Sequence, residues 1–249
     1  MSTTAEANSL TFTHKGLMRG AHRLLPISVF VFPFGVAFGA AAAETGLSPD
    51  QALVMSMLVF AGVSQFAALD MWQSPLPYLS IALVAFAVNA RHIILGAALS
   101  RYVNPLPAPH WFASLLLLSD ANFADSYKAM KDGERDAAHV FGGGLVLWGV
   151  WAVSTAIGVF AGELMGDLQR FGVDVVMAAF FASLVLGMVP SWRHAIPVIV
   201  GCGVAIATLP VLPTGWNIIA AALAGGFAAM FDPKLVADAK QTAETRAHG

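Results

Sequence analysis

Residues Leu83–Leu99 read LVAFAVNARHIILGAAL, an apolar run interrupted only by Asn89, Arg91 and His92. The run is long enough to cross a bilayer as a helix. A charged side chain at that depth costs from about 2.5 to more than 10 kcal/mol, depending on how far it reaches water or a partner. An arginine kept there calls for a counter-charge or a wet cavity. The stretch therefore predicts a membrane protein with a polar pathway inside it.

Composition agrees. Of 249 residues, 57% are hydrophobic and 11% charged, with a mean hydropathy of +0.71. A soluble domain carries about 25% charged residues. At about 20 apolar residues per span, the chain has room for about 7–8 transmembrane helices and for no soluble catalytic domain. The expected fold is an all-α polytopic transmembrane helix bundle with broken or short helices. The net charge of −2 leaves no basic patch to neutralise phosphates, so no nucleic-acid partner is expected. Cys202 stands alone and cannot form an internal disulfide. No CxxC, HExxH or His-rich cluster occurs, so neither a metal site nor a cofactor is expected.

Candidate spans are Leu24–Ala43, Ala52–Leu69, Pro77–Leu99, Trp111–Ala124, Val140–Ala161, Val173–Val189, Ile196–Leu212 and Trp216–Phe231. Ala41-Ala42-Ala43 imitates a signal-peptidase site, but the first apolar stretch is too long for a signal-peptide core and reads as a retained span. The fourth span is short and carries Asp120, Asn122 and Asp125. Polar or irregular backbone at membrane depth is tolerated only where protein covers it or it lines a cavity, so the interruptions in spans three and four point to the bundle interior.

Orientation follows Lys and Arg in short loops. Lys15, Arg19 and Arg23 precede span one, and Lys128, Lys131 and Arg135 lie in the central loop. Arg193 lies between spans six and seven, and Lys234, Lys240 and Arg246 lie in the tail. With eight spans all of these share one side, which places the N-terminus in the cytoplasm and the chain in a bacterial inner membrane. A fourth span that only dips in would lower the count to seven. The organisation is a polar N-terminal arm (1–23), one transmembrane permease domain (24–231, halves about 24–124 and 140–231 divided by the charged loop Asp125–His139) and a polar tail (232–249). Phe34–Gly39 followed by Glu44 echoes Ile157–Gly162 followed by Glu163, which is compatible with a two-half internal repeat of the kind common in transporters.

The chemistry concentrates in a few positions. Asn89 and His92, three apart, share a helix face, while Arg91 points elsewhere. Arg91 would then meet an acid on another span, and Asp120 is the best internal partner. His92, by residue type, can carry a proton, as can Asp120; a structural donor role is the plainer alternative for His92. Asn122 accompanies Asp120 in the broken fourth span. Gly62, Ser64 and Gln65 combine close backbone approach with a mid-span donor and acceptor, or serve interhelical packing. Pro33, beside Gly35, frees backbone carbonyls and can break span one. The Gly35/Gly39 and Gly158/Gly162 pairs read as packing, and Trp148, Trp151 and Trp216 as packing or interface anchors.

Taken in order, these residues resemble the AzlC family of branched-chain amino acid permeases. The carrying segments are Leu25-Pro26 with Pro33-Phe34-Gly35 and Phe38-Gly39; Ala61-Gly62-Val63-Ser64-Gln65-Phe66-Ala67-Ala68-Leu69; Asn89-Ala90-Arg91-His92 with Gly96 and Leu99; and Leu118-Ser119-Asp120 ahead of Phe123-Ala124. The family pattern after Asp120 usually has a second acid, where this chain has Ala121. The resemblance implies export of branched-chain amino acids driven by the proton gradient. It also implies a small, separately encoded membrane partner of the AzlD type.

A zwitterionic substrate needs an acceptor for its ammonium and donors for its carboxylate. Asp120 can supply the first, and Arg91, Asn89 and half-helix amide ends the second. Spans one to three offer an apolar wall for an aliphatic side chain. A passive channel for a small neutral solute would use the same polar residues without a titrating acid. An intramembrane enzyme would need a nucleophile–base or metal constellation, and no motif spacing supplies one. A homo-oligomer is compatible with the size of the chain.

Overall fold

In this computed structural model, described for residues 10–165, 182, 189, 191–213 and 215–232, all secondary structure beyond a single isolated bridge between Thr11 and Asp136 is helical. The expected span Val173–Val189 and the tail beyond Asp232 lie outside the described residues. Among the described residues the helices are, in order, α1 (His14–Glu44), α2 (Pro49–Leu58), α3 (Gly62–Asp70), α4 (Tyr78–Asn89), α5 (Arg91–Val103), α6 (Ala108–Leu116), α7 (Asp120–Lys131), α8 (Ala138–Met165), α9 (Trp192–Thr208) and α10 (Trp216–Met230). Contacts group them into two units, Met1–Gln65 with Asn89–Leu168, and Phe66–Val88 with Gln169–Gly249.

The first unit is built on α1 and α8. Both are long and apolar enough to cross a bilayer. Thr13 caps α1 by accepting the Gly16 amide, and the helix then runs 31 residues, about 46 Å at 1.5 Å per residue. It continues through Pro26 and Pro33, so the break expected at Pro33 is absent. Proline removes one ladder bond, and the packing of α1 along α8 holds the turn on either side.

That packing is backbone-close. A Cβ on Gly20 would lie 2.0 Å from the His139 carbonyl oxygen, one on Gly39 2.1 Å from that of Thr155, and one on Gly158 2.0 Å from that of Val36. A Cβ on Gly35 would lie 1.8 Å from Ser154 Oγ. Contacts rise together along both helices, so α1 and α8 run parallel. The two segments that echo each other in sequence, around Gly35 and Gly158, lie side by side in this seam. Phe38 stacks on Trp151 beside it, with ring centroids 5.9 Å apart.

The remaining expected spans of the first half are each a pair of short helices. Span two is interrupted at Val59–Ala61, span three at Ala90 and span four at Leu117–Ser119. The helices on either side of Ala90 are together long and apolar enough for one broken span. The sequence marks the second and third of these interruptions. The first carries no charge or proline to mark it; Trp148 Nε1 takes the freed Met57 carbonyl (3.0 Å), and Gln65 Nε2 adds a second donor (3.2 Å) to the Met55 carbonyl, which keeps its bond from the Val59 amide. Before α2, the Ser48 hydroxyl holds the Asp50 carboxyl below its usual range.

In the second unit, α9 and α10 pack antiparallel through small residues. Gly201 faces Ala221 and Gly225 faces Pro197. These helices are 17 and 15 residues long, shorter than a full span. Ala67, Met71 and Val84 form a buried cluster with Ile218 and Ile219 against it. Trp216 Nε1 donates to Ser80 Oγ (3.1 Å), and Arg193 pairs with Asp232 at 3.4 Å.

Candidate functional site: two broken-helix joints in the first unit

The joint at Ala90 separates Asn89 from His92, so the two do not share one helix face as expected. Asn89 ends α4 and donates from Nδ2 to Ser64 Oγ at 2.6 Å, tying the α4–α5 joint to α3. The His92 ring turns back so that Nδ1 lies 3.2 Å from the Asn89 carbonyl. A carbonyl only accepts, so Nδ1 carries the hydrogen in this contact and Nε2 is left as the basic nitrogen.

Arg91 opens α5. Its Nη1 meets Asp120 Oδ2 at 3.0 Å, bringing together the two charges that sequence reasoning paired. Asp120 opens α7, directly after the Ser119 cap, where the helix dipole favours a carboxylate. Both side chains remain open, 37% and 57% exposed, so the pair is reachable rather than sealed. Arg91 Nε is buried without a protein partner. Gln65 is fully buried, and its Oε1 likewise has no partner.

Asn122 is different. It is fully buried and spends its whole side chain on the scaffold. Nδ2 donates to the Val140 carbonyl (2.9 Å) and to the Leu117 carbonyl (3.5 Å), which the helix break leaves free. Oδ1 accepts from Ser126 Oγ at 3.1 Å. Asn122 thus ties the α6–α7 joint to α8. Gly35 sits in the α1–α8 seam against Ser154, and Gly62 lets the α2–α3 joint approach the Trp151 ring, its Cβ position being 2.9 Å from the ring edge. Pro33 lies exposed on α1.

Sequence reasoning missed a second polar cluster in this unit. Asp125 on α7 accepts from His139 Nε2 on α8 (2.9 Å) and from Arg23 Nε on α1. Arg19 pairs with Glu134 at 3.0 Å and lies 3.7 Å from Asp136. The charged loop reads in sequence as a divider between two halves, and only the fold returns it to α1. Among the described residues no group of His, Cys, Asp and Glu could hold a metal ion.

The first unit therefore offers a cation and an anion on the opening turns of two half-helices, with buried polar atoms left unmatched at two joints. The chain is similar to known membrane proteins. The AzlC protein family model matches residues 26–165, the stretch that contains these joints. An uncharacterized membrane protein of Archaeoglobus fulgidus is 32% identical over 80% of this chain and 88% of its own length. The inner membrane protein YgaZ of Escherichia coli is 29% identical over 68% of this chain and 71% of its own. The branched-chain amino acid transport protein AzlC of Bacillus subtilis is 24% identical over 80% and 78%. No solved structure matches the chain. With the family model spanning more than half of its length and every joint of the site inside the match, the chain is a membrane protein that belongs to the AzlC family.

Proposed function

We propose that this chain is the large subunit of a secondary transporter that exports branched-chain and similar small apolar amino acids, coupled to protons. The observation that carries the reading is the reachable Arg91–Asp120 pair on two half-helix openings. A substrate carboxylate can take the place of Asp120 on Arg91, and a substrate ammonium the place of Arg91 on Asp120. Each charge then exchanges one partner for another instead of standing alone in a low-dielectric site. Gln65 Oε1 and Arg91 Nε supply an acceptor and a donor that the protein itself leaves unmatched. Ser64 positions Asn89 at the joint. His92, with Nε2 free, and Asp120 are the proton carriers of this reading. Asn122, Gly35 and Gly62 are assigned to the scaffold that holds the joints, and Pro33 to the wall of α1.

The same reading takes the chain as one permease domain of eight spans in a bacterial inner membrane, with its N-terminus in the cytoplasm. Its support is the clustering of Lys15, Arg19, Arg23, Lys128, Lys131 and Arg135 at one end of the first unit. The echo between the segments around Gly35 and Gly158 supports a two-half repeat. A small AzlD-type membrane subunit completes the transporter.

The test is efflux of leucine, isoleucine, valine and methionine from dipeptide-loaded cells expressing this chain, with and without the small partner and a protonophore. Efflux that needs the partner and stops with the protonophore is expected. The variant Asp120→Asn, at unchanged membrane level, is expected to lose the pH-dependent efflux. Unchanged transport by that variant removes Asp120 from the mechanism, and efflux indifferent to the protonophore makes the protein a channel.

A further inference from the structure

We propose that the groove at the end of the first unit where α1 begins holds the headgroup of a zwitterionic aminophospholipid, its phosphate on Arg23 and Arg19 and its ammonium on Asp132 and His139. The groove measures about 890 Å³ and lies between α1, the end of α7 and the start of α8. Arg19, His22 and Arg23 line it from α1, and Asp132, Glu134 and His139 from the other elements. Cations stand on one wall and acceptors on the other, so a ligand with one charge of each sign meets both.

Both walls keep unused bonding capacity. Arg23 gives Nε to Asp125, the hub of the polar cluster, and its two terminal nitrogens have no partner among the described residues. A guanidinium presented in this way suits a phosphodiester. Arg19 engages both Glu134 oxygens through Nε and Nη2, so Nη1 is what it adds. Opposite, the Asp132 carboxylate is exposed at the C-cap of α7 and receives no hydrogen bond among the described residues. The His139 side chain is 4% exposed and presents Nε2 to Asp125. A carboxylate accepts, so the neutral ring carries its hydrogen on Nε2, and Nδ1 holds a lone pair buried without a donor. An acceptor left so is unfavourable, and a primary ammonium seated in the groove supplies its donor.

The surface beside the groove points to a lipid as the bearer of that zwitterion. Pro26, Val29 and Phe30 follow Arg19, His22 and Arg23 at steps of three and four residues, so they continue the same face of α1. All three are exposed, Val29 by 68% and Phe30 by 73%. At 1.5 Å per residue this apolar stripe runs from about 5 to about 10 Å beyond Arg23 along α1. That helix is long and apolar enough to cross a bilayer. Basic residues at the start of a span lie at headgroup level. A polar groove that opens onto an apolar stripe fits an amphiphile, with the headgroup in the groove and an acyl chain along α1. A free amino acid would fill the groove and leave the stripe bare. A headgroup with phosphate alone would leave Asp132 and the His139 lone pair unmet, and a choline headgroup has no N–H to give either. The ligand class is therefore a phospholipid with a primary amine, of the phosphatidylethanolamine type.

Native mass spectrometry of the purified full chain tests this without any transport assay. The chain is released from micelles that hold equal amounts of phosphatidylethanolamine, phosphatidylcholine and phosphatidylglycerol with the same acyl chains. Retention of phosphatidylethanolamine several-fold above the other two is expected, with a stepwise fall as its nitrogen is methylated. Asp132→Asn, at an exposed position, is expected to shrink the preference over phosphatidylcholine. Arg23→Gln is expected to lower retention of both phosphate-bearing zwitterions. Equal retention of ethanolamine and choline lipids by the wild-type chain overturns the proposal, as does a preference that survives both substitutions. Millimolar leucine is expected to leave the bound lipid in place; displacement by leucine would make the groove an amino-acid site and overturn the lipid assignment. The assignment does not rest on the transport reading, and loss of efflux with the lipid preference intact would overturn that reading alone.

Discussion

The α1–α8 seam and the broken helices beside it solve the same problem in opposite ways. Both must satisfy backbone polar groups where water is scarce. The seam does so with two uninterrupted helices whose glycines bring backbone against backbone, leaving no room for one added carbon at Gly20, Gly39 or Gly158. The broken helices give up ladder bonds at Val59–Ala61, Ala90 and Leu117–Ser119, and side chains recover part of them. Regularity brings rigidity in the first case. Interruption leaves Gln65 Oε1 and Arg91 Nε unmatched in the second, and unmatched polar atoms at depth are where a polar solute can be bound.

Substitutions can break this contrast from either side. The largest effect is expected in the seam. Gly20→Val or Gly39→Val drives a side chain into a carbonyl oxygen 2.0–2.1 Å away, which no rotamer change relieves. Overpacking of this kind costs about 1–3 kcal/mol even in forgiving cores. Fluorescence-detected size exclusion of the variants should show loss of the monodisperse peak, and a wild-type profile would mean that the seam opens without penalty.

A joint should be less sensitive. Asn122→Ala leaves the Leu117 carbonyl without a donor and takes the side-chain acceptor from Ser126 Oγ and a second donor from the Val140 carbonyl, at about 1–3 kcal/mol for buried polar groups left unpaired. A clearly lower Tm in detergent, with the protein still folded, is the expected result; an unchanged Tm would show that the α6–α7 joint holds without it. The smallest structural effect belongs to Ser64→Ala. It removes one bond to Asn89, worth about 1 kcal/mol or less in stability. Efflux should fall more than Tm does, and the reverse order would place Ser64 with the scaffold.

Legibility in the sequence divides along the same line. Apolar runs and sparse charge give the helices and the membrane, because burial in lipid leaves composition little freedom. Arg91 and Asp120 are legible as partners because isolated charges at depth are so costly. The break before Gly62 is not legible, since the donor to the Met57 carbonyl it frees is Trp148, which lies far along the chain. Pro33 misleads in the other direction, because α8 keeps α1 helical across it. Asn122 reads as a pathway residue and braces a joint, since its partners lie on α7, on α8 and in the joint itself. The Asp125–His139 hub escapes for a related reason: a charge-rich loop reads as a divider until the fold returns it to α1.

The parallel run of α1 and α8 sets a parity. Two helices that cross a bilayer side by side in the same direction must be joined by a segment that crosses an odd number of times. Residues 45–137 contain three expected spans, and turning only 111–124 back on itself would leave an even number and reverse α8. The start of α1 and the loop before α8 are also stitched together, Thr11 exchanging backbone bonds with Arg135 and Ala137 at 2.9 Å. Reporters placed near residues 10 and 133 must therefore read the same compartment, whatever the path of the chain between them.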